Sequence, residues 1–226
     1  MLRLPERDHR GHMNQPSTRR QILTLAAVGA TSMCVPASVW AALKTPGMTE
    51  GPFYPGPKDL LLDQDNDLTT IAGKSGVAAG ILLDVTGRVV DEKDRPLKSA
   101  LVEIWQCNAH GRYHHRGDDN KAPLDPYFQG FGKTVTDADG RYRFRTIRPV
   151  AYPGRVPHVH FKVKSREFGE FTSQFFIEGE SGNDRDFLLR SIRNEADRKR
   201  VMMALKPAAP DSGAKLVGEF EIVVGN

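Results

Sequence analysis

The chain has 226 residues, 39% of them apolar and 27% charged, with 21 Gly, 15 Pro, two Cys and a formal net charge of +4. Such a composition is globular, and it excludes a disulfide scaffold, collagen, a coiled coil and a disordered acidic tail while leaving length for one substantial core. Whether the +4 marks a basic binding surface depends on where the charges sit.

Arg19 and Arg20 stand directly before an apolar run, Ile22 to Met33, that is far shorter than the ~20 residues a spanning helix needs, and the small residues Ala37, Ala41 and Ala42 follow. That order of charge, apolar run and small residues predicts a signal peptide over residues 1–41, cut after Ala41. The paired arginines of STRRQIL resemble a bacterial twin-arginine signal, an address for exporting folded proteins, so a periplasmic or otherwise exported location is expected. The alternatives are an ordinary secretory signal or a basic tail before a core helix. Met33 before Cys34 argues against a lipoprotein, and Met13 is a second candidate start. Residues 1–41 hold five Arg and two acids, three of the four net charges, which leaves +1 on the remainder. With no Lys/Arg run or basic amphipathic helix beyond that segment, neither nucleic acid nor a stable membrane anchor is expected. Without Cys34, Cys107 has no partner for a disulfide and reads as a small buried hydrophobe.

Residues 42–80 are rich in turn formers, including TEGPFYPGP, and read as an extended arm. From residue 81 onward, period-two runs appear between turn signals such as DEKDRP and DADG: Leu82–Val90, Ala100–Gln106, Lys133–Thr136, Arg141–Ile147, His158–Lys164, Phe171–Ile177 and Leu216–Val224. Val159, Phe161 and Val163 alternate with His158, His160, Lys162 and Lys164. Asp184 to Leu205 is the one convincing helical stretch, expected to give one or two short helices. The predicted fold is all-β, an antiparallel β-sandwich over residues 81–226.

His158 and His160 are two apart on a strand, share a face and thus suit one metal ion, although a solvated polar face reads equally well from that spacing. No carboxylate stands in cupin register after them, and no HxD or HxE occurs. Trp105 and Gln106 read as core and its polar support, and His110, His114 and His115 as surface or supporting residues.

The company of HVH is more specific. TEGPFYP at 49–55, GRVVDEKDRPLKSALVEIWQCNAHGRYHH at 87–115, APLDPYFQGFGKTVTDADGRYRFRTIRP at 122–149, YPGRVPHVHF at 152–161 and FTSQFFIEG at 171–179 together resemble the intradiol ring-cleavage dioxygenases, most nearly the protocatechuate 3,4-dioxygenase type. The resemblance implies a β-sandwich holding one mononuclear non-haem ferric ion, Fe(3+), on Tyr113, Tyr152, His158 and His160. It implies that Tyr113 stays bound, that Tyr152 is displaced by substrate, and that Arg155 and Gln174 lie at the substrate ring. Phe53 and Tyr54 are candidates for the pocket mouth. Ferric iron favours anionic oxygen donors and lowers the pKa of a bound phenol, so two tyrosinates and two neutral imidazoles suit it. The implied partners are a small aromatic diol and O2, and the implied product is a cis,cis-muconate; a homo-oligomer is left open as the assembly. Two departures bear on the substrate: PVAYPG stands where the family carries PGPYPW, and only PGRVP joins Tyr152 to His158. A non-catalytic periplasmic binding module, or a copper or zinc protein, are the competing functions.

Overall fold

The computed structural model describes residues 43–225, so the predicted signal peptide lies outside them. Ten strands and two short helices follow one another: β1 (Leu82–Asp91), β2 (Leu101–Trp105), β3 (Phe131–Val135), β4 (Arg141–Ile147), β5 (His158–Ser165), β6 (Gly169–Ile177), α1 (Phe187–Ser191), α2 (Glu195–Lys199), β7 (Met202–Met203), β8 (Leu205–Pro207), β9 (Leu216–Glu219) and β10 (Ile222–Val224). In the first sheet β4 runs antiparallel along one side of β1, β9 and then β10 run parallel along the other, and β8 extends beyond β9. The second sheet has the order β3-β2-β5-β6-β7. The two sheets form a β-sandwich.

Period-two alternation explains what lies between the sheets. Val85 and Phe144 of the first sheet and Ile104, Val159, Phe161 and Phe175 of the second are all buried in one apolar cluster. The opposite face of β5 is buried as well: His158 and His160 are each 2% exposed and Lys162 is 6% exposed. The face that its sequence left open as a solvated one is therefore covered, and the cover comes from the arm. Met48 N–H donates to the Thr172 carbonyl at 3.0 Å, and Ser173 Oγ donates to the Pro46 carbonyl at 2.5 Å. Lys162 binds Glu50 and sets its ammonium 3.9 Å from the ring centre of Tyr54, whose hydroxyl donates to Glu103 at 2.8 Å.

Two expected elements divide. The run Leu216–Val224 breaks at Phe220, whose carbonyl accepts from the Tyr142 hydroxyl at 2.5 Å and whose ring turns inward, 5.1 Å from Phe175. Gly87 permits this crossing, since a Cβ there would lie 1.9 Å from the Phe220 carbonyl oxygen. The stretch Asp184–Leu205 gives two short helices, as many as expected, and its end then turns into the sheet. Asp186 caps α1, Ile192 leaves it in extended conformation, Asn194 caps α2, and Val201 then accepts from the Phe176 N–H at 2.7 Å to begin pairing with β6. Buried Leu189, Val201 and Met203 are satisfied by this broken path into the sheet rather than by one helical stripe.

Candidate metal centre

The strand register builds the floor of the site. Trp105 of β2, His160 of β5 and Gln174 of β6 lie side by side, and His158 lies opposite Phe176. Trp105 stacks on His160 with ring centres 4.9 Å apart and planes 12° from parallel. Facing pairs on adjacent strands are within contact distance, so this face orients the imidazoles before any ligand arrives.

The walls come from two loops. Between β2 and β3, the Asn108 side chain accepts from the N–H groups of His110 and Arg112, at 2.9 and 3.1 Å, and Asp118 accepts from the Tyr113 N–H at 2.7 Å. Gly111 turns this loop with φ 76°, and a Cβ there would sit 3.1 Å from the Ala151 carbonyl oxygen, so glycine allows the loop to close on the Tyr152 segment. Between β4 and β5, Tyr152, Pro153, Gly154 and Arg155 form a tight turn, with the Arg155 N–H donating to the Tyr152 carbonyl at 2.9 Å and φ 84° at Gly154. Pro second and Gly third is the type II pattern, and it sets Tyr152 and Arg155 beside each other.

Tyr113, Tyr152, His158 and His160 are thereby brought together. Ring centres are 5.5 Å apart for Tyr113 and Tyr152, 5.5 Å for Tyr152 and His158, 6.2 Å for Tyr113 and His160, and 4.9 Å for the two histidines. His158 Nδ1 lies 2.7 Å from the Val156 carbonyl, an acceptor only, so Nδ1 carries the proton and Nε2 presents a lone pair. That Nε2 is 3.2 Å from the Nε2 of His160. Burial, with the nearby Arg155 charge, holds His158 down to about 3, and burial, His158 and Arg155 hold His160 well below its ordinary value, so both rings are neutral. Burial pushes the Tyr113 phenol well above its ordinary value, and the neighbouring Tyr152 adds to the rise. Burial also raises Tyr152, against the opposing charge of Arg155.

The buried hydroxyl of Tyr113 and Nδ1 of His160 have no hydrogen-bond partner. Orphaned buried polar groups are costly, and here they stand among neutral nitrogens and phenols that only a cation would ionise. Among the described residues no group of three or more His, Cys, Asp or Glu is placed to hold a metal. For a cation held by His158 and His160 the nearest protein oxygens are the two phenols, a mixed nitrogen and phenol-oxygen donor set that fits a hard ferric ion.

Arg155 is fixed from three sides. Its Nε donates to Asp186 at 2.8 Å, its terminal nitrogen donates to Gln174 Oε1 at 2.7 Å, and its guanidinium lies 5.9 Å from the ring centre of Phe176 and 5.3 Å from that of Phe187. Gln174, fully buried, donates in turn to the Thr49 carbonyl of the arm at 3.2 Å. Burial alone would raise the Asp186 carboxyl; its bond to Arg155 and that to the Leu189 N–H outweigh this and hold it below the usual range. Sequence reading missed Asp186. The signal was present, an Asp directly before FLLRS that accepts from Leu188 and Leu189 as a helix cap.

Tyr152 and Arg155 border a cavity of about 620 Å³ with Val150, Ala151, Val156 and Pro157 among its apolar walls. Phe53 and Tyr54 are not among its lining residues. Phe53 stacks on Tyr113 with ring centres 4.6 Å apart, and Tyr54 turns toward Glu103 and Lys162. Trp105 and Gln106 are buried, the latter accepting from Thr146 at 2.8 Å and donating to the Ile147 carbonyl at 3.2 Å. His110 and His114 are exposed, while His115 lies 3.7 Å from Asp59. Burial pushes the Cys107 thiol up to about 12, which leaves it inert.

Fold and site define a β-sandwich protein with one buried tyrosine, one partly buried tyrosine and a buried pair of histidines, the partly buried tyrosine bordering a side cavity. A family model described as Dioxygenase matches residues 49–223. The chain is 42% identical over 168 residues to the protocatechuate 3,4-dioxygenase beta chain of Burkholderia cepacia, covering 71% of each. Among solved structures, the dioxygenase domain of a dioxygenase carbohydrate-binding protein fusion from Streptomyces sp. SirexAA-E matches with TM-score 0.59 at 28% identity, over 80% of this chain and 97% of that one. The fold is shared with 3-chlorocatechol 1,2-dioxygenase from Rhodococcus opacus 1CP, at TM-score 0.62 and 21% identity over 83% of this chain and 75% of that one. The chain belongs to the intradiol ring-cleavage dioxygenases.

Proposed function

We propose that the protein holds one ferric ion on Tyr113, Tyr152, His158 and His160 and opens a catechol-type ring with O2, between its two hydroxyl-bearing carbons, to a cis,cis-muconate product. The observation that carries this reading is the convergence of two neutral buried imidazoles with two phenols, one of them orphaned, where no other donor cluster exists among the described residues. Ferric iron, when bound, supplies a Lewis-acidic centre that binds the diol as its dianion and leaves the ring electron-rich toward O2.

The residues divide the remaining work. Tyr113, 3% exposed and walled by Phe53, is the phenol that stays in place. Tyr152 is only partly buried and borders the cavity, so it is the group that, ionised to the phenolate while it holds the cation, would yield its position and leave as the neutral phenol with a proton from the incoming hydroxyl. His158 and His160 stay neutral donors at working pH, held by the Val156 carbonyl and the Trp105 stack. Arg155 faces the cavity with N–H donors left over after Asp186 and Gln174 are served, and opposes negative charge building on the ring. Val150, Val156 and Pro157 offer the ring an apolar wall.

The test is direct. Purified protein should contain one iron per chain, be red-brown, and consume O2 with at least one of catechol, protocatechuate and hydroxyquinol. Tyr113→Phe should lose colour and activity together, whereas Arg155→Ala should keep colour and lose rate by about 10²-fold or more. Colourless protein that takes up no iron overturns the reading. We also infer export through a twin-arginine signal, supported by Arg19-Arg20 ahead of the Ile22–Met33 run. Replacing both arginines with lysine should retain the protein in the cytoplasm on fractionation; unchanged export refutes that address.

A further inference from the structure

The floor of the metal centre continues along the sheet into a buried charged layer. On the outer face of the second sheet Trp105 pairs with His160, and two residues further along Glu103 pairs with Lys162. Tyr54 of the arm lies across both pairs. Its hydroxyl donates to Glu103 at 2.8 Å and accepts from Lys164 at 3.3 Å, and the Lys162 ammonium stands 3.9 Å from its ring centre. The same ring meets Trp105 edge-on, with centres 4.9 Å apart and planes 77° from parallel. Glu103 is paired in turn with Lys164 at 3.1 Å, and Lys162 with Glu50.

Glu103 and Lys162 are both buried, where apolar side chains of similar volume commonly hold a segment down at least as well as charges do. What the charges add is direction: they clamp one ring in one place. The two histidines differ in their need for such help. His158 is tied through Nδ1 to the Val156 carbonyl, whereas Nδ1 of His160 has no partner, and neither has Nε1 of the Trp105 indole stacked on it. With no hydrogen bond to either ring, their planes depend on what packs against them. A ligating imidazole is ordinarily oriented by a partner on its other nitrogen, so that its lone pair stays aimed at the metal. Resting on the ring-cleavage reading, we propose that Tyr54 is a positioning residue: clamped by Glu103, Lys162 and Lys164, it fixes the Trp105 indole and, through it, the plane of His160. His158 lies outside its reach.

The experiment compares the iron-loaded protein with Tyr54→Met, which keeps apolar bulk without a flat ring, and Tyr54→Phe, which keeps the ring and gives up the hydroxyl. Iron release to a chelator should be about tenfold faster in Tyr54→Met and within about threefold of the unmutated rate in Tyr54→Phe. The tyrosinate-to-iron absorption band and the ferric paramagnetic resonance should change in Tyr54→Met and return in Tyr54→Phe, a pattern that lost stability alone would not produce. In protein stripped of metal, nitrogen-15 spectra should show the His160 ring broadened in Tyr54→Met with the His158 ring unchanged. If Tyr54→Met does not fold, Lys164→Met releases the Tyr54 hydroxyl from its partly exposed side and should move the His160 signals in the same sense; unchanged signals there overturn the proposal. So do unmutated release and spectra in Tyr54→Met, or equal disturbance of both histidines. Tyr54→Phe behaving like Tyr54→Met also overturns it, since the ring would then not carry the effect. Should the unmutated protein take up no iron, the ring-cleavage reading fails, while the His160 spectra still decide the role of Tyr54.

Discussion

The two outer faces of the sandwich are made by the same strand alternation and finish in opposite states. On the first sheet, Asp84 of β1 is bound by Arg143 at 2.9 Å and by Arg145 at 2.9 and 3.0 Å, and the Arg143 side chain remains 57% exposed. On the second sheet, the corresponding outward positions Trp105, His158, His160 and Gln174 are all buried. The strands do not make the difference; the covering segments do. The second sheet lies under the arm and the loops bearing Tyr113 and Tyr152, which exclude water and present donors of their own. The first face is an ion-pair ladder in which a buried Asp84 is held by arginines that reach solvent, and the second is a place where charge is controlled by burial.

The largest effects should come from breaking the second face. His160→Ala removes a donor from the floor of the site and should reduce iron content and turnover by 10³-fold or more, with iron analysis and O2 uptake as the measures. On the inward side of the same strand, Phe161→Ala empties core volume instead and should cost about 3–5 kcal/mol in denaturant unfolding, with iron retained in the folded fraction. If Phe161→Ala lost iron before it lost stability, the two sides of β5 would not be independent. Next in size is Asp186→Asn, which leaves Arg155 with a neutral partner. As Asp186 is a positioning residue, colour and iron should persist while kcat falls about 10- to 100-fold, and the loss should exceed any rise in KM.

Local pattern made the strands legible, and with them the floor of the site. Arg141–Ile147 is both the expected and the observed range of β4, and the alternation of Val159, Phe161 and Val163 against the histidines fixed which residues share a face. The Pro-Gly pair between Tyr152 and Arg155 is a local signal of the same kind for their turn, although the sequence reading did not use it. What was not legible depends on residues far apart in the chain. Lys162 meets Glu50 across 112 positions, Ser173 meets Pro46 across 127, and Tyr142 meets Phe220 across 78. Period-two spacing says that His158 and Lys162 point away from the core, and it carries no information on whether an arm will lie over them. The break at Phe220 and the turn of Val201 into β6 are likewise tertiary decisions that override a local run.

A smaller effect should follow from loosening that arm. Lys162→Met keeps the bulk of a long side chain and removes the charge that holds Glu50 and faces the Tyr54 ring. A loss of about 1 kcal/mol is expected, with faster proteolysis between residues 43 and 57 and faster iron loss to a chelator. Iron loss at the unmutated rate would mean that the arm covers the site without retaining its contents.

The last effect belongs to the ion-pair ladder of the first sheet, and its sign is set by pH. Burial would raise the Asp84 carboxyl, yet its bonds to Arg145 and Arg143 prevail and hold it below the usual carboxylate range. The unfolded chain therefore binds the proton more readily than the folded one does. The stabilisation is fully present above the unfolded value near ~4 and is lost as pH falls through the lower folded one. Asp84→Asn should thus melt below the unmutated protein at pH 7, and the gap between their melting temperatures should narrow as pH falls below ~4, while iron content at pH 7 stays the same in both. A gap that did not change with pH would assign the role of Asp84 to hydrogen-bond geometry alone. A loss of iron would show that the two outer faces are coupled through the core, which an ion-pair ladder on the other face of the sandwich gives no physical reason to expect.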